Sequence, residues 1–274
     1  MRPRTAIRVD FPADLGFQGV IGIEGARERF LVARGPATTP VFEESRRSGL
    51  LRFGGWATAG VRPSAAVRLE RWSEHRGYLA VSGGTELRTR DNRFGFTATT
   101  EHAIALAAHP SYTRASAAAT WASSLGLRRA AWSTRLGFEW ASTNAPLGTW
   151  PVAGGNLSWA IPLRADGLGG LLAGRNTGRA IIHSGLAGDH PITRVGPLIL
   201  AAGVFLDGAR VMAAADNSVG DRFYLDGGAG IRIGIAEGQL GILRIDWARG
   251  LLDQRSALTV GVHRSWPAFT KGSR

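Results

Sequence analysis

Six histidines, His75, His102, His109, His183, His190 and His263, are the first residues to test for chemistry, and none stands in an HExxH or other metal-ligand spacing. The adjacent Asp189 and His190 come nearest to an acid–base pair. They fall in a stretch expected to be a loop, and no second carboxylate pair occupies a matching loop, so a solvated dipeptide is the plainer reading. Ser123, Ser124 and Ser184 lack the strand–turn–helix context that exposes a nucleophilic serine. The glycines of "GGAGIRIG" (227–234) are followed by neither the lysine nor the helix of a phosphate loop, and read instead as points of strand bending or close packing. With no cysteine in the chain, disulfides and thiolate metal sites are excluded. The expectation is a protein that is not an enzyme and uses no metal or cofactor.

What remains is ionic. The chain has 274 residues, a formal net charge of +12, and 33 basic residues, all of them arginine except Lys271. Nucleic-acid binders gather their basic residues into runs or onto one face. Here the arginines are scattered along the chain from Arg2 to Arg274, many of them two residues from a carboxylate. "GILRIDWARGLL" (241–252) shows the pattern: Leu243, Ile245 and Trp247 share one face of an extended chain, and Arg244 and Asp246 share the other. Arg68/Glu70 and Arg135/Glu139 repeat it, and the simplest role for each pair is to hold a wet interior together.

Strands must position these charges. Runs of alternating residues recur along the chain, each ended by Gly, Pro, Asp or Asn. "RAAWSTRLGFEWA", "NLSWAIPLRA", "GYLAVSGGTELRTR", "RFYLDGGAGIRIGI" and "SALTVGVHRSW" are examples, and the series begins with "TAIRVDF" (5–11) and "GFQGVIGIEG" (16–25). Short connectors are expected at 91–92, 125–126, 165–167 and 237–238, and longer ones at 35–48, 107–111, 143–153 and about 174–195. No run of about 18 apolar residues offers a transmembrane helix. The strands are long, charges sit at the centre of their polar faces, and Trp132, Trp140, Trp150, Trp159, Trp247 and Trp266 lie near the ends of apolar faces, where an interfacial girdle would sit. These features predict an all-β fold: one transmembrane antiparallel β-barrel domain over residues 1–274, of about 14–16 strands.

The last third carries a more specific signal. "GPLILAAGVFLDGARV" (196–211), "FYLDGGAGIRIGI" (223–235), "GILRIDWARGL" (241–251) and "ALTVGVHRSWPAF" (257–269) follow one another with short spacers. Together they resemble the closing strands of the bacterial surface antigen family, the outer-membrane barrel of BamA- and TamA-type assembly factors, over roughly residues 170–269. The resemblance implies that Asp207, Asp226, Arg232, Arg244 and Asp246 point into the lumen, and the alternation puts Trp132, Trp140, Trp159, Trp247 and Trp266 on the lipid-facing side. It also implies a long loop folded into the lumen, whose Val-Arg-Gly-Phe/Tyr tip sets an arginine against wall carboxylates. This chain lacks that tip; Arg175 and Arg179 are the nearest arginines to face Asp207.

The function so implied is insertion of proteins into, or translocation across, a bacterial outer membrane. The expected partners are outer-membrane lipid and lipopolysaccharide, unfolded or translocating protein substrates, and periplasmic modules or accessory proteins, with no nucleic acid. The first residues have no apolar core like that of a signal peptide, so a preceding region is expected to supply export. The mechanism carried by the resemblance is a weakly paired seam between first and last strands, with few ladder hydrogen bonds between 5–11 and 257–266. A passive channel is the first rival reading, and a soluble basic β-protein that binds nucleic acid is the second.

Overall fold

The computed structural model describes residues 4–14, 18–33, 41–73, 76–124, 127–153, 163–165, 177–214, 221–235 and 242–263. Among them are thirteen strands, fewer than the 14–16 expected: β1 (Arg4–Asp14), β2 (Gln18–Ala33), β3 (Val41–Gly55), β4 (Val61–Trp72), β5 (Gly77–Arg88), β6 (Phe94–Ala105), β7 (Tyr112–Ala122), β8 (Ala131–Ala141), β9 (Gly178–Val195), β10 (Leu198–Ala214), β11 (Arg222–Ile235), β12 (Ile242–Gly250) and β13 (Ser256–His263). They form one sheet in sequence order, every neighbouring pair antiparallel. Among the described residues no ladder joins β1 to β13.

The sheet is curled. On β4, Glu70 accepts a hydrogen bond from the Tyr112 hydroxyl of β7 at 2.9 Å. In a flat sheet those strands would stand about 14 Å apart, so the face bearing Glu70 is concave. Alternation then sorts every strand. The convex side exposes Ile7, Leu69, Leu136, Phe223 and Leu258, whereas Glu70, Asp207, Asp226, Arg232 and Asp246 are buried on the concave side. This is the reverse of a water-soluble globule, and it is what a barrel with a wet core and an apolar jacket requires.

Tight turns fix the register. The β5–β6 turn places Asn92 at φ 56°, and Asp91 Oδ1 accepts hydrogen bonds from the Thr89 hydroxyl at 2.6 Å and the Arg93 amide at 3.1 Å. Between β9 and β10 the turn is Gly196-Pro197, with Gly196 at φ 56°, where a side chain would be strained.

Three sequence expectations change. Much of the long connector expected at 35–48 belongs to β3, and the one around 174–195 is mostly β9. A strand of two-faced but small residues such as "SGLAGDH" carries a weak signal, and tertiary pairing with β8 and β10 overrides it. The strand expected in "NLSWAIPLRA" falls mostly outside the described residues. Residues 154–162 lie outside the described residues, while 163–165 form a turn with Leu163 buried, not lipid-facing. β8 pairs directly with β9, and the described pieces of the chain that connects them pack on the concave face.

Candidate functional site

The concave face of β9–β12 is built from glycines and charges, and strand pleating sets both. On β10, Phe205 and Asp207 point inward. On β11 the inward positions include Asp226, Gly228, Gly230 and Arg232, and on β12 they are Arg244, Asp246 and Ala248. Asp246 is the hub. It accepts an ion pair from Arg232 and stands 3.4 Å from Arg164 and 3.6 Å from Arg244. From β11, Arg232 also reaches across β10 to Asp189 of β9, with its Nε 2.9 Å from Oδ1. That reach crosses Gly203, whose Cβ, were there one, would lie 2.5 Å from both the Arg232 guanidinium and the Asp189 carboxylate. Glycine is needed there because a charged side chain occupies the space above it.

Onto this wall docks the turn Leu163-Arg164-Ala165. Arg164 lies 3.3 Å from Asp207 and stacks over the Phe205 ring at 3.8 Å from its centroid. The Ala165 amide donates to Asp226 Oδ2 at 2.7 Å. Leu163 packs with Ala153, Ile181, Ala209 and Val211, and Ala165 packs with Phe205 and Ala248. Two carboxylates, one ring face and one backbone bond thus hold three residues. A buried arginine is tolerable only with such company.

The same connection is held a second time, nearer its start. A short 3-10 turn, Leu147–Thr149, presents the Gly148 amide to Glu44 of β3 at 2.8 Å, and Arg76 pairs with the other oxygen of that carboxylate at 2.8 Å. Ala145, Leu147 and Trp150 pack there against Trp72, Tyr78, Ala80, Ala103 and Tyr112. Glu70 collects four donors, Trp72 and Tyr112 at 2.9 Å each, Arg68 at 2.9 Å and Arg46 at 3.0 Å. The pieces of the connection therefore pin opposite stretches of the concave wall, β3–β8 and β9–β12.

The residues singled out in the sequence fall as follows. Asp207, Asp226, Arg232, Arg244 and Asp246 meet in one network on the inner wall. Arg179 stands in β9, not in a loop, and has no carboxylate partner among the described residues. Arg175 lies outside the described residues, as do Trp159 and Trp266. On the convex side, Trp132 and Trp247 are half exposed, and Trp140 shares the outward face of β8 with Trp132. Asp189 is not in a solvated loop: it is on β9 and partners Arg232, while His190 points the other way. The arginine that meets the wall is Arg164, which the sequence reading set on the polar face of the expected strand "NLSWAIPLRA" while it sought the loop arginine at Arg175 and Arg179. The legible signal was an arginine between an apolar and a small residue, just before the expected turn at 165–167.

No family model matches the chain, and no curated protein matches it by sequence. The fold does match a solved one. The crystal structure of BamA from Haemophilus ducreyi lacking POTRA domains 1–3 superposes with a TM-score of 0.66 at 11% identity, over 94% of this chain. The fold is that of the BamA barrel. This chain spans 61% of the matched chain.

Proposed function

We propose that this chain forms an outer-membrane barrel that inserts or translocates other proteins without covalent chemistry, by lending a strand edge to its substrates. The observation that carries the reading is the unpaired pair of sheet ends in a BamA-like fold: among the described residues β1 and β13 share no ladder. Thirteen strands alternating in direction leave β1 and β13 pointing the same way, so a ladder between them would be parallel, the slightly weaker kind of pairing. The free edge of β1, Arg4–Asp14, can pair with an incoming strand by β-augmentation. The partners of this reading are lipid and lipopolysaccharide around the jacket, unfolded protein at the seam, and periplasmic or accessory modules that deliver it; the location is the bacterial outer membrane.

The chain has no cysteine, so an engineered pair is unambiguous. Ile7→Cys with Val260→Cys, oxidised, ties β1 to β13. In liposomes, the tied protein is expected to lose insertion of an unfolded barrel substrate and to regain it on reduction. Undiminished insertion by the tied protein would overturn the strand-edge mechanism.

A further inference from the structure

Three arginines form a row on the convex face, where the jacket should be apolar. In the ladders Arg27 of β2 is opposite Arg47 of β3, and Arg47 is opposite Arg71 of β4. All three are exposed, and none has a carboxylate partner among the described residues. Like charges directly opposite one another on a sheet face repel, so a row of three needs a counter-charge. The flanking outward positions supply none: Thr5 on β1 and Gly77 on β5 are the lateral neighbours. The carboxylates nearby, Glu28 and Glu70, are on the concave face and are taken by Arg46. Glu43 is four residues along β3 from Arg47, ~13 Å of backbone away at strand rise.

Directly beneath the row the jacket is notched. Gly25 and Gly49 are opposite each other, and a Cβ on either would meet nothing within 4 Å. Ile7, opposite Gly25, and Leu69, opposite Gly49, form the sides, and both are more than half exposed. Ile23 and Leu51, both exposed, close its lower end. The notch is thus apolar, about two strands wide, and open at the arginines. The row's height fits a headgroup. From Val61, an exposed outward residue at the far end of β4, to Arg71 is ten residues, which at strand rise and a tilt of about 40° is ~25 Å, the height of a barrel's apolar band.

We propose that Arg27, Arg47 and Arg71 bind the phosphate of an anionic membrane lipid, with an acyl chain of that lipid lying in the notch over Gly25 and Gly49. The proposal rests on the reading of the chain as a membrane barrel and adds a lipid site to it. Guanidinium groups suit phosphate oxygens, through charge-assisted and bidentate hydrogen bonds.

The test uses the full chain folded in a neutral detergent, with dioctanoyl phosphatidylglycerol as probe and native mass spectrometry as readout. The expected result is a lipid-bound species that weakens about tenfold in R27Q/R47Q/R71Q, the effect of losing one good charge-assisted contact. G25L/G49L is expected to weaken it too, by filling the notch, while both variants keep the heat-modifiable gel mobility of a folded barrel. Dioctanoylglycerol, which lacks the phosphate, should not bind. Equal binding by the triple variant, or by dioctanoylglycerol, overturns the proposal, and so does displacement of the lipid by equimolar inorganic phosphate. A chain that folds in detergent yet shows no such lipid fails this proposal alone. A chain that folds without detergent fails the membrane reading with it.

Discussion

Two strands of this chain carry nearly the same four residues and put them to different use. β1 contains Arg8-Val9-Asp10-Phe11 and β12 contains Arg244-Ile245-Asp246-Trp247. In both, the apolar residues face outward and the ions inward. In β1 the pair stays wet: the Arg8 and Asp10 side chains are 46% and 38% exposed, and Arg52 adds a contact to Asp10 at 2.7 Å. In β12 the Asp246 side chain is only 4% exposed and lies among Arg164, Arg232 and Arg244. The local geometry of the two stretches is the same. Burial differs because β12 lies under a docked turn with a ladder partner on each side, whereas β1 is at the end of the sheet with β2 as its ladder partner.

The difference can be broken most forcefully at the hub. Asp246→Ala leaves three arginines without their shared carboxylate, and loss of one member of such a buried cluster costs about 3–5 kcal/mol. Urea unfolding followed by heat-modifiable gel mobility should show a barrel weakened by that amount. Removing the docked cation comes next. Arg164→Ala is expected to cost about 2–3 kcal/mol, the upper part of the penalty for leaving a buried group such as the Asp207 carboxylate unsatisfied, and to free the turn from the wall. Its signature in planar bilayers is a rise in single-channel conductance, which Arg179→Ala should not reproduce. Unchanged conductance in Arg164→Ala would show that the connection does not obstruct the lumen.

Smaller still is the effect at the glycine paving. Gly203→Ala pushes a methyl into the Arg232 guanidinium and should cost about 1–3 kcal/mol as overpacking, in the same unfolding assay. Gly25→Ala, on the open outer wall, should change stability by no more than about 0.5 kcal/mol, as surface substitutions do. At the bottom of the scale is Asp10→Asn, the β1 counterpart of the hub. An exposed pair contributes about 0–1 kcal/mol, and its effect should fade as salt is raised across roughly 0.05–0.5 M. A large loss at Asp10 would mean that the concave face of β1 is covered by something as close-fitting as the turn over β12.

Much of the architecture was legible before the structure, in places with a clear period of two. "RAAWSTRLGFEWA" and "RFYLDGGAGIRIGI" became β8 and β11 with the expected faces, since steric alternation of side chains is a local property of extended chain. The misreadings have a common cause. "SGLAGDH" was read as loop, and Leu163-Arg164-Ala165 as the end of a strand, because Gly, Ser and Asp look like turn residues and alternation looks like strand. Pairing partners decided otherwise: β9 is held on both sides by β8 and β10, and residues 163–165 are held by side chains of β10, β11 and β12.

The sequence by itself determined most of the strands, their two faces and many of the ions that look inward, because each depends only on neighbours along the chain. It also determined Arg27, Arg47 and Arg71, though not that ladder register would line them up in one row. Tertiary structure alone decided which Arg-x-Asp pair is buried and which arginine clasps the wall. Those outcomes depend on contacts such as Ala165 with Asp226, 61 residues apart, which form only once the sheet has curled. Whether a charge is solvated or buried depends on what covers it, and alternation within a strand carries no information about that cover.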